Sequence, residues 1–150
     1  MKDERVSSSD DIAQLYVRER ERIWWALLAY TGDREIATDA VAEAFTRALR
    51  EGERIRDPDS WIWRVAFRVA SAESMSRERT VPLREDDRSY EMRPPSTSVM
   101  AVLGDFPRQQ RAALVLHYYG GSPIKEIAGI LGIGSATVGV HRHRGRNRLR

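Results

Sequence analysis

The segment SPIKEIAGILGIGSATVGVHRHRGRNRLR, residues 122–150, decides how this chain is interpreted. Four apolar residues near its start repeat at the i, i+3, i+4, i+7 spacing of one buried helix face: Ile124, Ile127, Ala128 and Leu131. Ser122 can cap this helix, Pro123 suits its first turn, and Gly132 follows the last apolar residue as a C-cap glycine does. A sharp turn and a cap at Ser135 then predict a second helix through the rest of the segment.

Positive charge is concentrated in the second of these helices. Residues 122–150 carry six basic side chains and one acidic one, a net charge of +5, whereas the whole chain carries +3 and residues 1–121 therefore carry −2. A helix–turn–helix with a basic second helix is typical of DNA readers, because that helix enters the major groove while arginines neutralise phosphates. A solvated terminal helix would explain the charge, but not the cap, helix, glycine and turn before it.

The composition excludes several classes of protein. With 150 residues, 41% of them apolar and 31% charged, the chain fits one domain or two small ones. No apolar run reaches the ~20 residues that cross a bilayer, and the N-terminal residues lack the apolar stretch of a signal peptide. We therefore expect a cytoplasmic protein without a membrane segment. The absence of cysteine excludes disulfides and thiolate zinc sites.

Two amphipathic helices are predicted in the first third of the chain. The first starts at about Asp10 and ends at Gly32. The second spans about residues 34–50 behind Asp33, which serves as its N-cap. The second helix has the clearest apolar stripe in the chain, and its other face carries charged residues.

A third helix is predicted after Pro58, with Asp59 or Ser60 as its cap. One of its faces carries an aromatic and two basic residues at i, i+3, i+7: Trp61, Arg64 and Arg68. Aromatic side chains interleaved with arginines can stack bases and follow a phosphate backbone. For Trp63 and Phe67, an i, i+4 pair, the helical spacing instead favours ordinary core residues.

The helical pattern stops over residues 76–98, where proline, serine and mixed charge predict a flexible linker. Apolar residues resume at 99–103. A helix then follows from Arg108 to Tyr119, with Leu114, Val115 and Tyr118 facing inward. We therefore predict an all-α protein of two small helical domains, residues 10–75 and 99–150, joined by the linker.

Catalytic and metal-binding groups do not converge in this sequence. His141 and His143 lie two residues apart on a helix and point away from each other, whereas a facing pair needs a spacing of four. No phosphate-cradling glycine loop is present, and the pair Asp86-Asp87 lies in the predicted linker. We therefore predict no enzyme activity, no metal site and no cofactor.

The order of these modules resembles the extracytoplasmic-function group of bacterial RNA polymerase sigma factors, which consist of a region 2 and a region 4. Three stretches carry the similarity: GDREIATDAVAEAFTRAL, similar to the polymerase-binding helix; WIWRVAFRVA, similar to the stretch that melts and reads the −10 promoter element; and the segment from Phe106 onward, similar to region 4. Residues 10–75 would then be region 2 and residues 99–150 region 4. Matches in region 4 include Pro107, Glu126, Ile127, Ala128, Gly132, Thr137, Val138, His143 and Arg144.

The resemblance implies a role for each matched stretch. Four residues of the second helix would bind core RNA polymerase: Asp39, Val41, Glu43 and Phe45. By spacing alone, the two acids among them would be a solvated helix face. The third helix would receive the opened −10 strand with Trp61, Arg64 and Arg68. The last helix would read the −35 element of promoter DNA, and its arginines 142, 146 and 148 would lie near phosphates. The residues assigned to this element are Ser135, Thr137, Gly139, Val140, Arg142, His143, Arg144, Arg146 and Arg148. Members of the family are often held by an anti-sigma factor, a further candidate partner.

Several positions depart from the family's pattern: Ala42, Arg68, Gly139, Arg142 and Gly145. Two glycines cost a helix interior ~1 kcal/mol each relative to alanine, so we predict a recognition helix that is marginal alone and firm when docked or on DNA. An arginine at a core position must snorkel, pair or turn outward. Two alternatives stay open: a stand-alone helix–turn–helix regulator, and a sigma-like adaptor that binds polymerase or an inhibitor but reads DNA poorly.

Overall fold

The computed structural model describes residues 9–80, 103 and 106–149 of the chain. These residues form six α-helices and one short 3-10 turn, Gly52–Arg54, with no strand among them. The helices are α1 Ser9–Thr31, α2 Arg34–Glu51, α3 Pro58–Thr80, α4 Arg108–Tyr118, α5 Ile124–Leu131 and α6 Ser135–Leu149. The predicted all-α fold is confirmed. Along the described ranges, no helix combines the length and the apolarity needed to cross a bilayer.

Helices α1, α2 and α3 form the N-terminal module. Gly32 ends α1 with a φ of +72°, a left-handed conformation that glycine adopts without strain. The Asp33 side chain then caps α2 by accepting hydrogen bonds from the backbone amides of Glu35 at 2.9 Å and Ile36 at 3.1 Å. Both predicted helix boundaries here are confirmed. Most of the periodic apolar residues of α2 are buried as the pattern indicated: Ile36, Ala37, Ala40, Val41, Ala44, Phe45 and Ala48. The last residue of the predicted stripe, Leu49, is instead 56% exposed.

Helix α3 differs from its prediction at both ends. Its cap is Asp57, whose carboxylate accepts from the Ser60 backbone amide at 3.4 Å and from the Ser60 hydroxyl at 3.0 Å. The predicted caps Asp59 and Ser60 were wrong because both residues already lie inside the helix. The helix continues to Thr80, several residues into the predicted linker. The remainder of that linker, residues 81–98, lies outside the described residues.

Helices α4, α5 and α6 form the C-terminal module, and of the predicted apolar segment 99–103 only Leu103 is described, buried against the core. Helix α4 has nearly its predicted bounds, and Leu114 and Val115 are buried. Tyr118 was predicted to face inward but is 57% exposed. Its ring lies edge-on to His117, and Tyr119 packs against the core instead.

The helix–turn–helix is present, with one change at its start. The residue before α5 is Pro123, which provides no side-chain cap, whereas Ser122 is buried and its amide donates to the Leu116 carbonyl at 3.1 Å. The predicted cap at Ser122 was therefore wrong, because that residue closes the preceding turn. Gly132 ends α5 in the left-handed conformation, with φ 71° and ψ 32°, as predicted.

The two modules share one hydrophobic core in this structure. Helix α4 packs on α1, and helix α5 packs on α3. The modules meet closely at Gly120, where an added Cβ would lie 3.2 Å from Cζ3 of Trp63 and 2.8 Å from the Leu116 carbonyl oxygen. The predicted −35 and −10 residues therefore lie on two modules that pack against each other, and not on separate domains.

Candidate nucleic-acid interface

The predicted −35 reader is an exposed helix whose inner face is anchored in the C-terminal module. Helix α6 packs against α4 and α5, and Val138 is fully buried between them. Gly139 is half-buried, with no heavy atom within 4 Å of the position of a Cβ. The other outward positions are exposed: Ser135, Thr137, Val140, His143, Arg144 and Arg146. The structure thus brings most of the predicted −35 residues to one accessible helix.

The positive charge of this helix is available to an anion. Arg144 and Arg146 are exposed and form no ion pair with any described residue. The side chain of Arg148, which was predicted to lie near a phosphate, falls outside the described residues. Guanidinium groups without a carboxylate partner can neutralise phosphates and release condensed counterions, the main electrostatic source of affinity for DNA.

Arg142 is held differently from these two arginines. It is half-buried, and its Nη2 lies 3.4 Å from Nε2 of His117 on α4. Burial, and then the nearby Arg142 charge, lower the pKa of His117, while a backbone hydrogen bond with Ser122 raises it in part. Arg142 therefore bridges α6 and α4 through a neutral imidazole, which is how an arginine occupies a position that is apolar in the family's pattern.

His143 has a partner that was not predicted. Its Nε2 lies 3.2 Å from the side-chain amide nitrogen of Asn147, one helical turn later, and both residues are exposed. The i, i+4 spacing of a histidine and an asparagine on an exposed helix face is a signal that the sequence contained.

The three predicted −10 residues lie on α3 but are not equally accessible. Trp61 and Arg64 are half-buried, whereas Arg68 is exposed and donates from Nη2 to the Gly129 carbonyl of α5 at 3.2 Å. A cavity of about 360 Å³ lies beside Arg68 between the modules, lined by apolar residues of both, including Phe67, Met75, Ile130 and Leu131. When the modules are docked, Arg68, one of the residues predicted to contact DNA, is thus bonded to the C-terminal module.

Trp63 and Phe67 are core residues, as their spacing favoured. They are 3% and 2% exposed and stack with ring centroids 6.3 Å apart. The Trp63 Nε1 donates to the carboxylate of Glu19 on α1 at 3.4 Å, and Arg22 lies over the Trp63 ring at 5.7 Å. Arg22 also donates to the Gly120 carbonyl at 3.4 Å, a second polar contact between the modules. No sequence signal pointed to Glu19, because its partner lies 44 residues away.

The predicted polymerase-binding residues divide into two pairs. Asp39 is exposed, and Glu43 is half-buried and accepts from Arg47 Nε at 2.7 Å. Val41 and Phe45 are 7% and 5% exposed and belong to the core of the N-terminal module. In this structure the outward face of α2 is therefore the charged one, and the two apolar residues hold that helix in place.

A contact at the start of α2 was also missed by the sequence analysis. Arg77, near the end of α3, donates from Nη1 to Asp33 at 2.9 Å and from Nη2 to Glu35. The hydrogen bond to Glu35, helped by the charges of both acids, raises the pKa of Arg77. This pair of bonds joins the far end of α3 to the cap of the helix that carries Asp39 and Glu43.

Comparison with known proteins finds similarity to sigma factors. The family model for sigma-70 region 4 matches residues 97–149. The RNA polymerase sigma factor SigV of Bacillus subtilis (strain 168) is 22% identical over 125 residues, which cover 77% of this chain and 75% of that protein.

Solved structures share the fold across both modules. The sigma factor RpoE of Bartonella quintana, in a complex with the anti-sigma factor NepR, superimposes with a TM-score of 0.75 at 16% identity, covering 93% of this chain and 94% of that one. The extracytoplasmic-function sigma factor SigJ of Mycobacterium tuberculosis superimposes with a TM-score of 0.67 at 23% identity, covering 91% of this chain and 52% of that one. The chain therefore carries a sigma-70 region 4 domain at residues 97–149, and over both modules it shares the fold of solved sigma factors, one of them of the extracytoplasmic-function group.

Proposed function

We propose that this chain binds core RNA polymerase and directs initiation at promoters that it recognises through a −35 and a −10 element. Residues 10–75 act as region 2, residues 99–150 as region 4, and residues 76–98 as the linker between them. The observation that carries the proposal is the exposed face of α6, where Arg144 and Arg146 lie beside His143 and Val140 and form no ion pair with any residue that the structure describes.

At the −35 element, α6 enters the major groove. Thr137, Gly139, Val140, His143 and Arg144 face base edges or the adjoining backbone, and Ser135 lies at the end of the helix that approaches the groove. Arg146 and Arg148 serve the phosphates. Because Arg142 is tied to His117, its contribution is to hold α6 on α4 more than to meet a phosphate.

At the −10 element, the open strand meets the face of α3 that carries Trp61, Arg64 and Arg68. Extruding a base from the duplex costs a few kcal/mol, which stacking on an aromatic side chain and contacts with guanidinium groups can offset. Since Arg68 donates to the Gly129 carbonyl in the docked arrangement, the modules separate when this element is read.

Core polymerase docks on the outward face of α2, through Asp39 and Glu43. Val41 and Phe45 act indirectly, by fixing the position of that helix in the module. An anti-sigma factor is a second partner, supported by the RpoE structure, in which a sigma factor of this fold is bound by one. Such a protein would inhibit the chain by stabilising the docked modules.

Run-off transcription with purified core polymerase tests the proposal. We expect specific transcripts with the wild-type chain and a loss of at least about tenfold with Arg144→Ala, which removes a base or phosphate contact. Arg20→Ala is the control, because Arg20 is an exposed arginine of α1 that lies outside both proposed interfaces. The transcripts also separate the alternatives: binding of polymerase without transcripts indicates the adaptor, and binding of DNA without polymerase indicates the stand-alone regulator.

A further inference from the structure

The contact between His143 and Asn147 restricts what His143 can do. The amide nitrogen of Asn147 lies 3.2 Å from Nε2 of the imidazole. An amide NH₂ group can only donate, so this contact is a hydrogen bond in the tautomer whose Nε2 is unprotonated. That tautomer carries its proton on Nδ1, because the bond made by one ring nitrogen sets the tautomer of the other. Within the described part of the chain, Nδ1 has no hydrogen-bond partner.

His143 and Asn147 lie on the exposed face of α6, where the imidazole can contact a base. Positions 140, 143, 144 and 147 recur at i, i+3, i+4 and i+7 along α6 and form one exposed stripe, opposite the buried Val138. In the major groove, guanine presents two acceptors, N7 and O6, whereas cytosine presents a donor, its amino group. A neutral imidazole that offers Nδ1–H can bond guanine but finds no acceptor on cytosine.

We propose that Asn147 is a positioning residue that fixes His143 as a neutral Nδ1–H donor and thereby makes the helix prefer guanine over cytosine at one base pair. The inference rests on the proposed function, since it assumes that α6 reads a duplex. It adds two points to that function: Asn147 acts without contacting a base itself, and His143 selects guanine.

The tautomer can be measured without DNA. Long-range ¹H–¹⁵N spectra of the full chain, labelled at histidine and recorded at a pH where imidazoles are neutral, distinguish a protonated from an unprotonated ring nitrogen. We expect Nδ1–H for His143 in the wild type and Nε2–H, the form that free histidine favours, in Asn147→Ala. The isosteric variant Asn147→Asp places an acceptor opposite Nε2 and should also give Nε2–H. Nε2–H in the wild type, or an unchanged tautomer in Asn147→Ala, would overturn the proposal.

Base preference is measured by selection of random duplexes with the full chain and core polymerase. For the wild type we expect guanine over cytosine at one base pair by about two- to tenfold, the ratio that one net hydrogen bond supplies. In Asn147→Ala the preference at that pair should fall below about twofold while the other pairs keep theirs. Arg146→Ala is the matched control: removal of a phosphate contact weakens binding to all sequences alike.

The outcomes separate the two proposals. If the wild type selects a sequence and Asn147→Ala selects the same one with equal strength, the positioning role is wrong while the proposed function stands. If the wild type selects no sequence, the proposed function fails, and the tautomer spectra alone decide whether Asn147 sets the protonation of His143.

Discussion

The exposed arginines of α6 differ from several arginines of the N-terminal module in whether a carboxylate lies beside them. In the N-terminal module Arg47 and Arg77 face carboxylates on α2, at distances that make direct ion pairs. In the C-terminal module Arg144 and Arg146 have no such partner among the described residues. A cation that is already paired must lose that partner before it can bind a polyanion, whereas an unpaired one loses only water and counterions. We therefore expect the affinity for duplex DNA to be concentrated in α6.

The cores of the modules differ as well. The N-terminal module buries large aromatic side chains, including Tyr30, Phe45, Trp63 and Phe67. The C-terminal module buries one phenylalanine, Phe106, and otherwise smaller aliphatic side chains, including Leu114, Leu116, Ile127 and Val138. Because aromatic residues remove the most apolar area from water, we expect the N-terminal module to be the more stable, and the C-terminal one to depend on docking.

The largest effect is expected at Trp63, where the aromatic core meets the other module. Trp63→Ala should lower the free energy of unfolding by about 3–5 kcal/mol, the range for a large aromatic side chain removed from a core. The half-buried Trp61→Ala is the matched control and should lose clearly less. Denaturation followed by circular dichroism measures both, and equal losses would contradict the assignment of Trp63 to the shared core.

A smaller loss is expected at the start of α2. Asp33→Ala removes the N-cap and one partner of Arg77, and should cost about 0.5–2 kcal/mol. The exposed Asp39→Ala on the same helix should change stability by less than about 0.5 kcal/mol, although it should weaken binding to polymerase. Urea midpoints compare the two variants. If Asp39→Ala lost more stability than Asp33→Ala, the assignment of Asp33 as the N-cap of α2 would be wrong.

In the C-terminal module one substitution should stabilise. Gly139→Ala should add about 1 kcal/mol to α6, because an interior glycine is a poor helix former and its Cβ would meet nothing within 4 Å. Amide exchange through residues 139–146 should then slow by about fivefold. Gly132→Ala is the contrasting control, destabilising because φ there is +71°. Strong protection of 139–146 in the free wild type would contradict the prediction of a marginal helix.

The smallest effect concerns His117. Its pKa lies below the ordinary value of 6.5, so the unfolded chain takes up this proton first as the pH falls. The stability of the C-terminal module should therefore be full above pH 6.5 and decline below it. Arg142→Gln keeps the burial but removes the nearby charge, so its decline should be shallower. Urea midpoints at several pH values test this, and a decline that steepened in Arg142→Gln would exclude the charge as a cause.

Features that depend on a few neighbouring residues could be predicted well. The helices, the cap at Asp33 and the glycine that ends α5 follow from side-chain spacing and from the hydrogen-bonding needs of helix ends. Where two local signals competed, the sequence did not decide between them. Asp57 caps α3 in place of Asp59 or Ser60, and Ser122 closes the turn after α4 in place of capping α5.

The sequence by itself determined that this chain is helical, that its positive charge lies on the last helix, and that this helix follows a turn suited to reading DNA. Only the tertiary structure decided that Arg68 bonds to Gly129, that Arg142 turns to His117, and that Trp63 lies against Gly120. Helix formation is governed by residues one turn apart, whereas these contacts join residues that are 25 to 61 positions apart. They form only when α6 packs on α4 or when the two modules dock.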